Sequence, residues 1–141
     1  MSQTNELEIM ERIALDLEGV EESLASSFNT GAEDFNALIR PLSAAGGKRL
    51  RAQLCLLIAN AGTSVERQRI RIAEAVEMLH LATLIHDDVL DQAEIRRGED
   101  TIHMHKGNKV AILSGDYLFA KAFQIVSEMP NMKYLQIFSH I

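Results

Sequence analysis

Three aspartates lie close together in the chain, and two arginines follow them. Asp87, Asp88 and Asp91 fall within five positions, and Arg96 and Arg97 come shortly afterwards. In a helix Asp87 and Asp91 lie one turn apart on one face, with Asp88 about 100° around the axis. Such oxygen ligands favour Mg²⁺, which shares its coordination shell with water and substrate phosphates. Guanidinium groups suit phosphate oxygens, so the pattern predicts a metal–diphosphate site.

A second basic segment lies earlier, where Gly46 and Gly47 precede Lys48, Arg49 and Arg51. The three cations fall on the predicted opening turn of an apolar helix, where the helix dipole disfavours positive charge. An anion bound there would gain from the dipole, the free backbone N–H groups and the cations together. An ordinary glycine turn with solvated cations explains the pattern equally well, so both interpretations stay open. A nucleotide P-loop is excluded because its glycine spacing and Lys-Ser/Thr ending are absent.

The alternative for the aspartates is a solvated helix end, with Arg96 and Arg97 offsetting the dipole. Carboxylates at a helix C-terminus oppose the dipole and the flanking residues are apolar, so a surface role fits poorly. His80 lies two turns before Asp87 on the same face, where binding and packing roles are equally compatible with the pattern. His86 is predicted to be a packing residue, and structural or surface roles are predicted for His103 and His105. Asp116, inside an apolar helix, is predicted to satisfy a neighbouring polar group.

The composition indicates one cytoplasmic helical domain. The chain has 141 residues, 47% of them hydrophobic, and a net charge of -6, which argues against nucleic-acid binding. Its single cysteine, Cys55, permits no internal disulfide and fits a reducing compartment. The polar, acidic N-terminus is unlike a signal or transit peptide. No apolar run approaches the roughly 20 residues that span a bilayer, so no transmembrane segment is expected.

Apolar residues recur every three or four positions, which predicts helices throughout and no strand. Residues 96–101 are predicted to form a loop, and Thr63 or Ser64 to cap the long helix that carries the aspartates. The predicted helices cover about residues 7–24, 35–41, 48–60, 66–91 and 110–130, with the start of another at 131–141.

With both motifs in view, the chain resembles the trans-prenyltransferases, the polyprenyl diphosphate synthases of the all-α isoprenoid synthase fold. The resemblance rests on the Gly-Gly-Lys-Arg-Leu-Arg turn, Asp-Asp-x-x-Asp, Arg-Arg-Gly, and the segment Leu113-Ser114-Gly115-Asp116-Tyr117-Leu118. It implies that residues 1–141 are a single helical domain, the N-terminal half of the bundle. The family's second aspartate-rich motif has no counterpart after Asp91.

The resemblance also implies roles for matching residues. Asp87, Asp88 and Asp91 would bind Mg²⁺ that bridges an allylic prenyl diphosphate, and Arg96 would grip that diphosphate. The implied reaction is head-to-tail condensation with isopentenyl diphosphate, whose diphosphate would be held by Lys48, Arg51, His80 and Arg97.

The resemblance also allows the product length to be predicted from the size of particular side chains. In the family the growing chain passes the positions four and five before the first aspartate, here Thr83 and Ala82. Neither is bulky, and Val76 further down is also modest, so a medium to long prenyl product is expected. Ala82→Phe in an active full-length form is expected to shorten it.

A half-bundle exposes apolar faces, so we expect a homodimer or a heteromeric complement, and no activity from this chain alone. The alternative is a non-catalytic or split subunit of a heteromeric prenyl synthase. A phosphohydrolase built on His86 and Asp87 would leave Lys48, Arg96 and Arg97 unexplained. A terpene cyclase would share the metal motif but would not need a second diphosphate site.

Overall fold

The computed structural model describes residues 3–44, 47–62 and 65–140. Within these ranges the chain forms helices and one short hairpin, so the all-α prediction is confirmed. The helices are α1 (Gln3–Ser27), α2 (Glu33–Ala44), α3 (Leu50–Asn60), α4 (Glu66–Leu90), α5 (Ile102–Lys106), α6 (Asn108–Ser127) and α7 (Lys133–Phe138). The two strands are β1 (Ile95–Arg96) and β2 (Glu99–Asp100), paired antiparallel.

Helix α4 lies at the centre of the bundle and packs against α1, α3 and α6. Apolar residues at helical spacing on each partner are removed from water at these contacts, which is the main stabilising term for such a bundle. The fully buried core includes Val20, Leu24, Leu56, Met78, Leu118 and Ile125. This packing fixes the axis of α4, and therefore the place where its C-terminal turn presents the aspartates.

Two buried acidic groups tie α1 to α4. Asp16 accepts hydrogen bonds from Arg69 at 3.0 Å and from the Asn60 side-chain amide at 3.0 Å. Glu74, which is fully buried, accepts hydrogen bonds from the hydroxyls of Ser23 and Ser27, both at 2.6 Å. Buried polar groups need such partners, so these contacts fix the mutual register of the helices.

Three sequence-based boundaries need correction. The second helix does not end at Pro41 but runs on to Ala44, because proline removes one hydrogen bond while its own φ remains helical. The segment predicted as a loop forms the β1–β2 hairpin, in which Arg97 and Gly98 both have positive φ, as a tight two-residue turn requires. Helix α5 covers the predicted loop histidines. The proposed caps at residues 63 and 64 lie outside the described residues.

Helix α6 is long and apolar enough, by length and composition alone, to cross a membrane. This differs from the expectation that no apolar run approaches the length that spans a bilayer. In the bundle α6 packs along α4, and 39% of its most apolar stretch is buried. A core helix satisfies the same criterion, so the expected lack of a transmembrane segment remains a prediction.

His86 fastens the aspartate-bearing turn of α4 to α6. Its Nε2 atom lies 3.1 Å from the Ile112 carbonyl oxygen and 3.4 Å from Asp116, and its ring stacks on Phe119. A Cβ atom built on Gly115 would overlap the imidazole, so only glycine leaves room for the ring. The predicted roles of His86 as a packing residue and of Asp116 as a polar partner are both confirmed.

The effect of Gly115→Ala on the free energy of unfolding should change sign when His86 is replaced by alanine. Gly115→Ala is expected to lower the free energy of unfolding by about 1 kcal/mol, because overpacking displaces His86. In the His86→Ala background the same change should stabilise the chain by up to about 1 kcal/mol, the helix-propensity gain of alanine over glycine. Urea denaturation measures all four proteins. The same sign in both backgrounds would contradict the packing argument.

Candidate metal and diphosphate site

A cavity of about 110 Å³ lies between α2, α4 and the hairpin. Its wall brings together four residues predicted from the sequence: His80, Asp88, Arg96 and Arg97. Its apolar lining comes from Pro41, Leu42, Leu81, Leu84 and Ile85. The volume is below the roughly 300 Å³ at which small-molecule pockets begin, so within the described residues it suits a polar head group rather than a whole prenyl chain.

The three aspartates do not converge. The side chain of Asp88 is buried at 7% exposure, whereas Asp87 and Asp91 are exposed at the end of α4. Asp91 is the C-cap residue, and its backbone N–H donates to the Asp87 carbonyl at 2.8 Å. Within the described ranges, no three acidic, histidine or cysteine side chains are grouped closely enough to surround a metal ion.

This arrangement nevertheless fits Mg²⁺. The ion dehydrates reluctantly and is usually held by one or two carboxylates together with water and substrate phosphates, not by a closed protein cage. Asp87 and Asp91, one turn apart and open to solvent, offer that kind of incomplete shell. The donor chemistry therefore supports the predicted metal, with phosphate oxygens as the missing ligands.

The β1–β2 hairpin places the Arg96 side chain next to Asp88. Both Nε and Nη2 of Arg96 contact Oδ1 of Asp88 at 2.6 Å. Thr101, which is buried, closes the base of the hairpin: its hydroxyl donates to the Ala93 carbonyl at 2.8 Å, and its N–H donates to Glu94 at 3.0 Å. The short connection between α4 and β2 is thereby held so that one guanidinium meets the acidic turn and the next lies at the hairpin tip.

Arg49 of the basic turn also borders the cavity, but its guanidinium donates to two carboxylates of the described chain. It is buried, adopts a left-handed backbone with φ of 48°, and donates to Glu21 at 2.6 Å and to Glu77 at 3.4 Å. Burial lowers its pKa, but the hydrogen bond to Glu21 and the charges of Glu21 and Glu77 outweigh that effect and raise it. Arg49 therefore anchors the turn to α1 and α4.

Glu77 occupies part of the anion site that was predicted at the start of α3. Its Oε1 accepts the backbone N–H of Ala52 at 3.0 Å, in the first turn of α3. A side chain from α4 thus caps α3, and this amide is already satisfied without a bound anion. The helix terminus remains a place of positive potential, but with one N–H fewer to offer than the sequence implied.

The remaining cations of the basic turn and the hairpin lie in two different places. Arg51 Nη1 lies 3.1 Å from His80 Nε2, and a Cβ placed on Gly47 would be 3.8 Å from the Arg97 guanidinium. The basic turn and the hairpin tip therefore meet, as predicted for a diphosphate pocket. Lys48 lies instead beside α1, in a groove with Leu17, Glu18 and Glu21, and does not line the cavity.

His80 lies among these cations. Burial lowers its pKa below the ordinary value of 6.5, and the positive charge of Arg51 lowers it further, with smaller effects from Arg97 and Arg96. The carboxylate of Glu77 opposes them. The lowered pKa favours the neutral ring. Because the Arg51 guanidinium can only donate, His80 Nε2 accepts from it and the ring's Nδ1–H is the remaining donor.

NMR titration of the His80 ring is expected to give a pKa below 6.5, and Arg51→Gln should raise it because one repelling charge is lost. A bound pyrophosphate should raise it as well. Since the folded chain binds this proton less readily than the unfolded chain, the free energy of unfolding should decrease as pH falls through 6.5. His80→Gln should remove that part of the decrease. A His80 pKa above 6.5 in the unliganded chain would contradict this electrostatic picture.

The residues predicted to set product length do not line the cavity. Ala82 is fully buried and lies one turn from His86, on the side of α4 that faces α6. Thr83 is half-buried, and its hydroxyl donates to the His80 carbonyl at 2.8 Å. Val76 packs against the core. Their role in product length stays a prediction.

The fold defined by these helices is that of the all-α isoprenoid synthases. The sequence model of one family within that class, polyprenyl synthetase, matches residues 32–141. The chain belongs to the polyprenyl synthetase family.

The chain is similar to enzymes that carry prenyltransferase names. It is 34% identical over 131 residues to the octaprenyl diphosphate synthase of Escherichia coli, covering 93% of this chain and 41% of that enzyme. It is 38% identical over 123 residues to heptaprenyl diphosphate synthase component 2 of Geobacillus stearothermophilus, covering 86% and 38%.

A solved structure gives the same result. The polyprenyl synthase of Caulobacter crescentus, complexed with calcium and isoprenyl diphosphate, is 36% identical and superposes with a TM-score of 0.85. The match covers 92% of this chain and 41% of that one. The chain thus spans about two fifths of the length of these relatives.

Sequence reasoning missed three residues that build the site: Glu77, Thr101 and Gly115. An acid in an apolar helix three residues before His80 was a signal for Glu77. Gly115 lies within the Leu-Ser-Gly-Asp-Tyr-Leu segment, but the need for glycine there depends on the His86 ring and is visible only in the fold. Nothing in the sequence singled out Thr101.

Proposed function

We propose that this chain provides the first aspartate-rich motif of a Mg²⁺-dependent trans-polyprenyl diphosphate synthase. The reaction would join isopentenyl diphosphate head-to-tail to an allylic prenyl diphosphate. The observation that carries the proposal is the single cavity wall on which Asp88, Arg96, Arg97 and His80 meet. This wall places one of the proposed metal ligands beside cations that suit phosphate oxygens.

Negatively charged residues would bind the metal ion, and a positively charged residue would bind the phosphate oxygens. Mg²⁺, when bound, would offset the negative charge that develops on the departing diphosphate. Asp87, Asp88 and Asp91 would hold the ion, and Arg96 would direct its N–H groups to the phosphate oxygens. Once Arg96 has turned from Asp88 to the phosphate oxygens, these groups would face the developing charge with little further reorganisation.

The second substrate would be held by cations on the other side of the cavity. Arg97 at the hairpin tip and the Arg51–His80 pair would contact the diphosphate of isopentenyl diphosphate. Lys48 would join them only if its side chain swings away from the α1 groove. The apolar residues beneath would exclude water from the reacting carbons.

The activity is best tested by grafting. In the Escherichia coli octaprenyl diphosphate synthase, the matched 41% would be replaced by this chain, and incorporation of labelled isopentenyl diphosphate would be measured. We expect Mg²⁺-dependent elongation of farnesyl diphosphate, and its loss with Asp88→Asn. We expect no turnover from the 141-residue chain alone. A folded graft that binds both diphosphates without joining them would overturn the proposal.

A medium to long product is part of the proposal, supported by the small side chains of Ala82 and Thr83 and by the octaprenyl and heptaprenyl names of the relatives. Ala82→Phe is a poor test because this site is fully buried, and the larger ring is expected to lower stability by about 1–3 kcal/mol.

Thr83→Phe in the grafted enzyme is the sharper test, since Thr83 is only half-buried. We expect products shorter by at least one isoprene unit on thin-layer chromatography, because the ring would obstruct the chain. Thr83→Ser, which keeps the hydroxyl and adds no bulk, should leave the length unchanged. Identical products from both variants would contradict a role for this position.

We also propose that the chain acts within an assembly, either a homodimer or a complement with a second chain. Helix α3 exposes Leu50, Leu54, Leu57 and Ile58 on its outer side, and α6 exposes Ile112 and Leu113. Apolar groups in such continuous patches are usually covered by a partner. Light scattering at increasing concentration should show species larger than the monomer.

A further inference from the structure

We propose that Arg96 is an internal counter-cation, which occupies Asp88 until a diphosphate arrives and so couples metal binding to diphosphate binding. The inference rests on the proposed function and concerns how the same site is loaded. It assigns Arg96 a second task, performed before any substrate is bound.

The geometry of the unliganded chain supports this assignment. Arg96 directs Nε and Nη2 to the same oxygen, Oδ1 of Asp88, at 2.6 Å. The side chain of Asp88 is 7% exposed and that of Arg96 33%. A carboxylate withdrawn from water needs a compensating positive charge, and Arg96 supplies it.

A metal ion that uses Oδ1 of Asp88 must therefore compete with a guanidinium. Oδ2 of Asp88 accepts no hydrogen bond from the residues that the structure describes, but Oδ1 is taken. Asp87 and Asp91 are exposed and have no ion pair within the described ranges. A first weak association of the ion with this exposed pair is compatible with the arrangement, while full use of Asp88 requires Arg96 to leave.

Diphosphate offers Arg96 another acceptor. The guanidinium borders the cavity beside Arg97, and its planar N–H groups match phosphate oxygens. When phosphate oxygens accept those N–H groups, Oδ1 becomes available to the metal. Each ligand then raises the affinity for the other, as reciprocal coupling requires.

The test compares Arg96→Gln with Arg97→Gln, which removes the same charge one residue along. Arg97 makes no ion pair with a carboxylate in the described part of the chain. Affinity for Mn²⁺ without phosphate would be measured from the electron paramagnetic resonance signal of the free ion. We expect Arg96→Gln to raise it about tenfold, and Arg97→Gln to raise it no more than about twofold.

The second measurement is the affinity for inorganic pyrophosphate, determined by calorimetry with and without Mg²⁺. The increase in pyrophosphate affinity produced by Mg²⁺ should be about tenfold smaller in Arg96→Gln than in the unaltered chain. In Arg97→Gln the pyrophosphate affinity itself should fall, because a proposed diphosphate cation is lost, but its increase with Mg²⁺ should match that of the unaltered chain. Complexes formed in solution are the same for all three proteins and cancel from the comparison. Arg96→Lys, which keeps the charge on a single ammonium, should give intermediate values.

The outcomes separate the two proposals. Equal effects of Arg96→Gln and Arg97→Gln, with binding intact, would show a general effect of charge and overturn this inference alone. An unaltered chain that binds neither Mn²⁺ nor pyrophosphate would overturn the proposed function as well. If Arg96→Gln does not fold, Arg96→Lys decides, since wild-type coupling in that variant would also contradict the inference.

Discussion

Asp88→Asn should weaken the Mg²⁺-dependent binding of an allylic diphosphate by at least about 100-fold. Loss of a partner one step removed from a metal already lowers affinity by roughly 10–100-fold, and a direct ligand contributes more. Asparagine keeps the shape of the side chain but removes the charge that draws both Mg²⁺ and Arg96. Calorimetry with a non-reactive allylic analogue at fixed Mg²⁺ measures the loss.

Glu99→Gln is the matched control for that experiment. Glu99 borders the same cavity, is exposed, and faces Arg96 across the hairpin. Its neutralisation removes the same charge without removing a predicted metal ligand, and the affinity should change by less than about threefold. Similar losses in the two variants would mean that the overall negative charge of the cavity, rather than Asp88, attracts the ion.

Glu77→Ala should lower the free energy of unfolding by about 3 kcal/mol, the range found when one partner of a buried ion pair is removed. Glu77 is 4% exposed, pairs with the buried Arg49, and caps α3 through the Ala52 N–H. Its removal leaves a buried cation with less compensation and an amide without its acceptor. Urea denaturation at pH 7 would measure the loss.

Glu21→Ala provides the comparison, because Glu21 pairs with the same arginine but is 48% exposed. Water can replace its carboxylate, so we expect a loss of about 1 kcal/mol or less. Glu77→Gln should also lower the His80 pKa further, since the Glu77 charge raises that pKa in the unaltered chain. Equal losses of stability for Glu21→Ala and Glu77→Ala would contradict the buried network.

The sequence predicted the helices and their order because apolar spacing reports which face of each helix is buried. It also predicts two neighbouring diphosphate sites, one at Arg96 and the aspartates and one at Lys48, Arg51, His80 and Arg97. Of these residues Asp88, His80, Arg96 and Arg97 line one cavity, whereas Lys48 lies beside α1. Charge and spacing patterns describe residues that are near in sequence. A long helix such as α4 fixes the relative positions of those residues, so these patterns also describe the folded chain.

The structure adds what depends on three-dimensional contacts. Arg49 belongs to the same basic run as Arg51, yet one is buried between two glutamates while the other meets His80. Sequence spacing cannot separate them, because the difference arises from the left-handed backbone at Arg49 and from the distant Glu77. The tie between Asp88 and Arg96 likewise depends on a hairpin whose strands are only two residues long.

The most direct measurement is a crystal structure of the chain with Mn²⁺ and an allylic thiolodiphosphate, using anomalous scattering to locate the metal. We expect Mn²⁺ bound directly to carboxylate oxygens of the Asp87–Asp91 turn and to phosphate oxygens that accept N–H groups from Arg96. An ordered diphosphate in the cavity without metal at any of the three aspartates would contradict it.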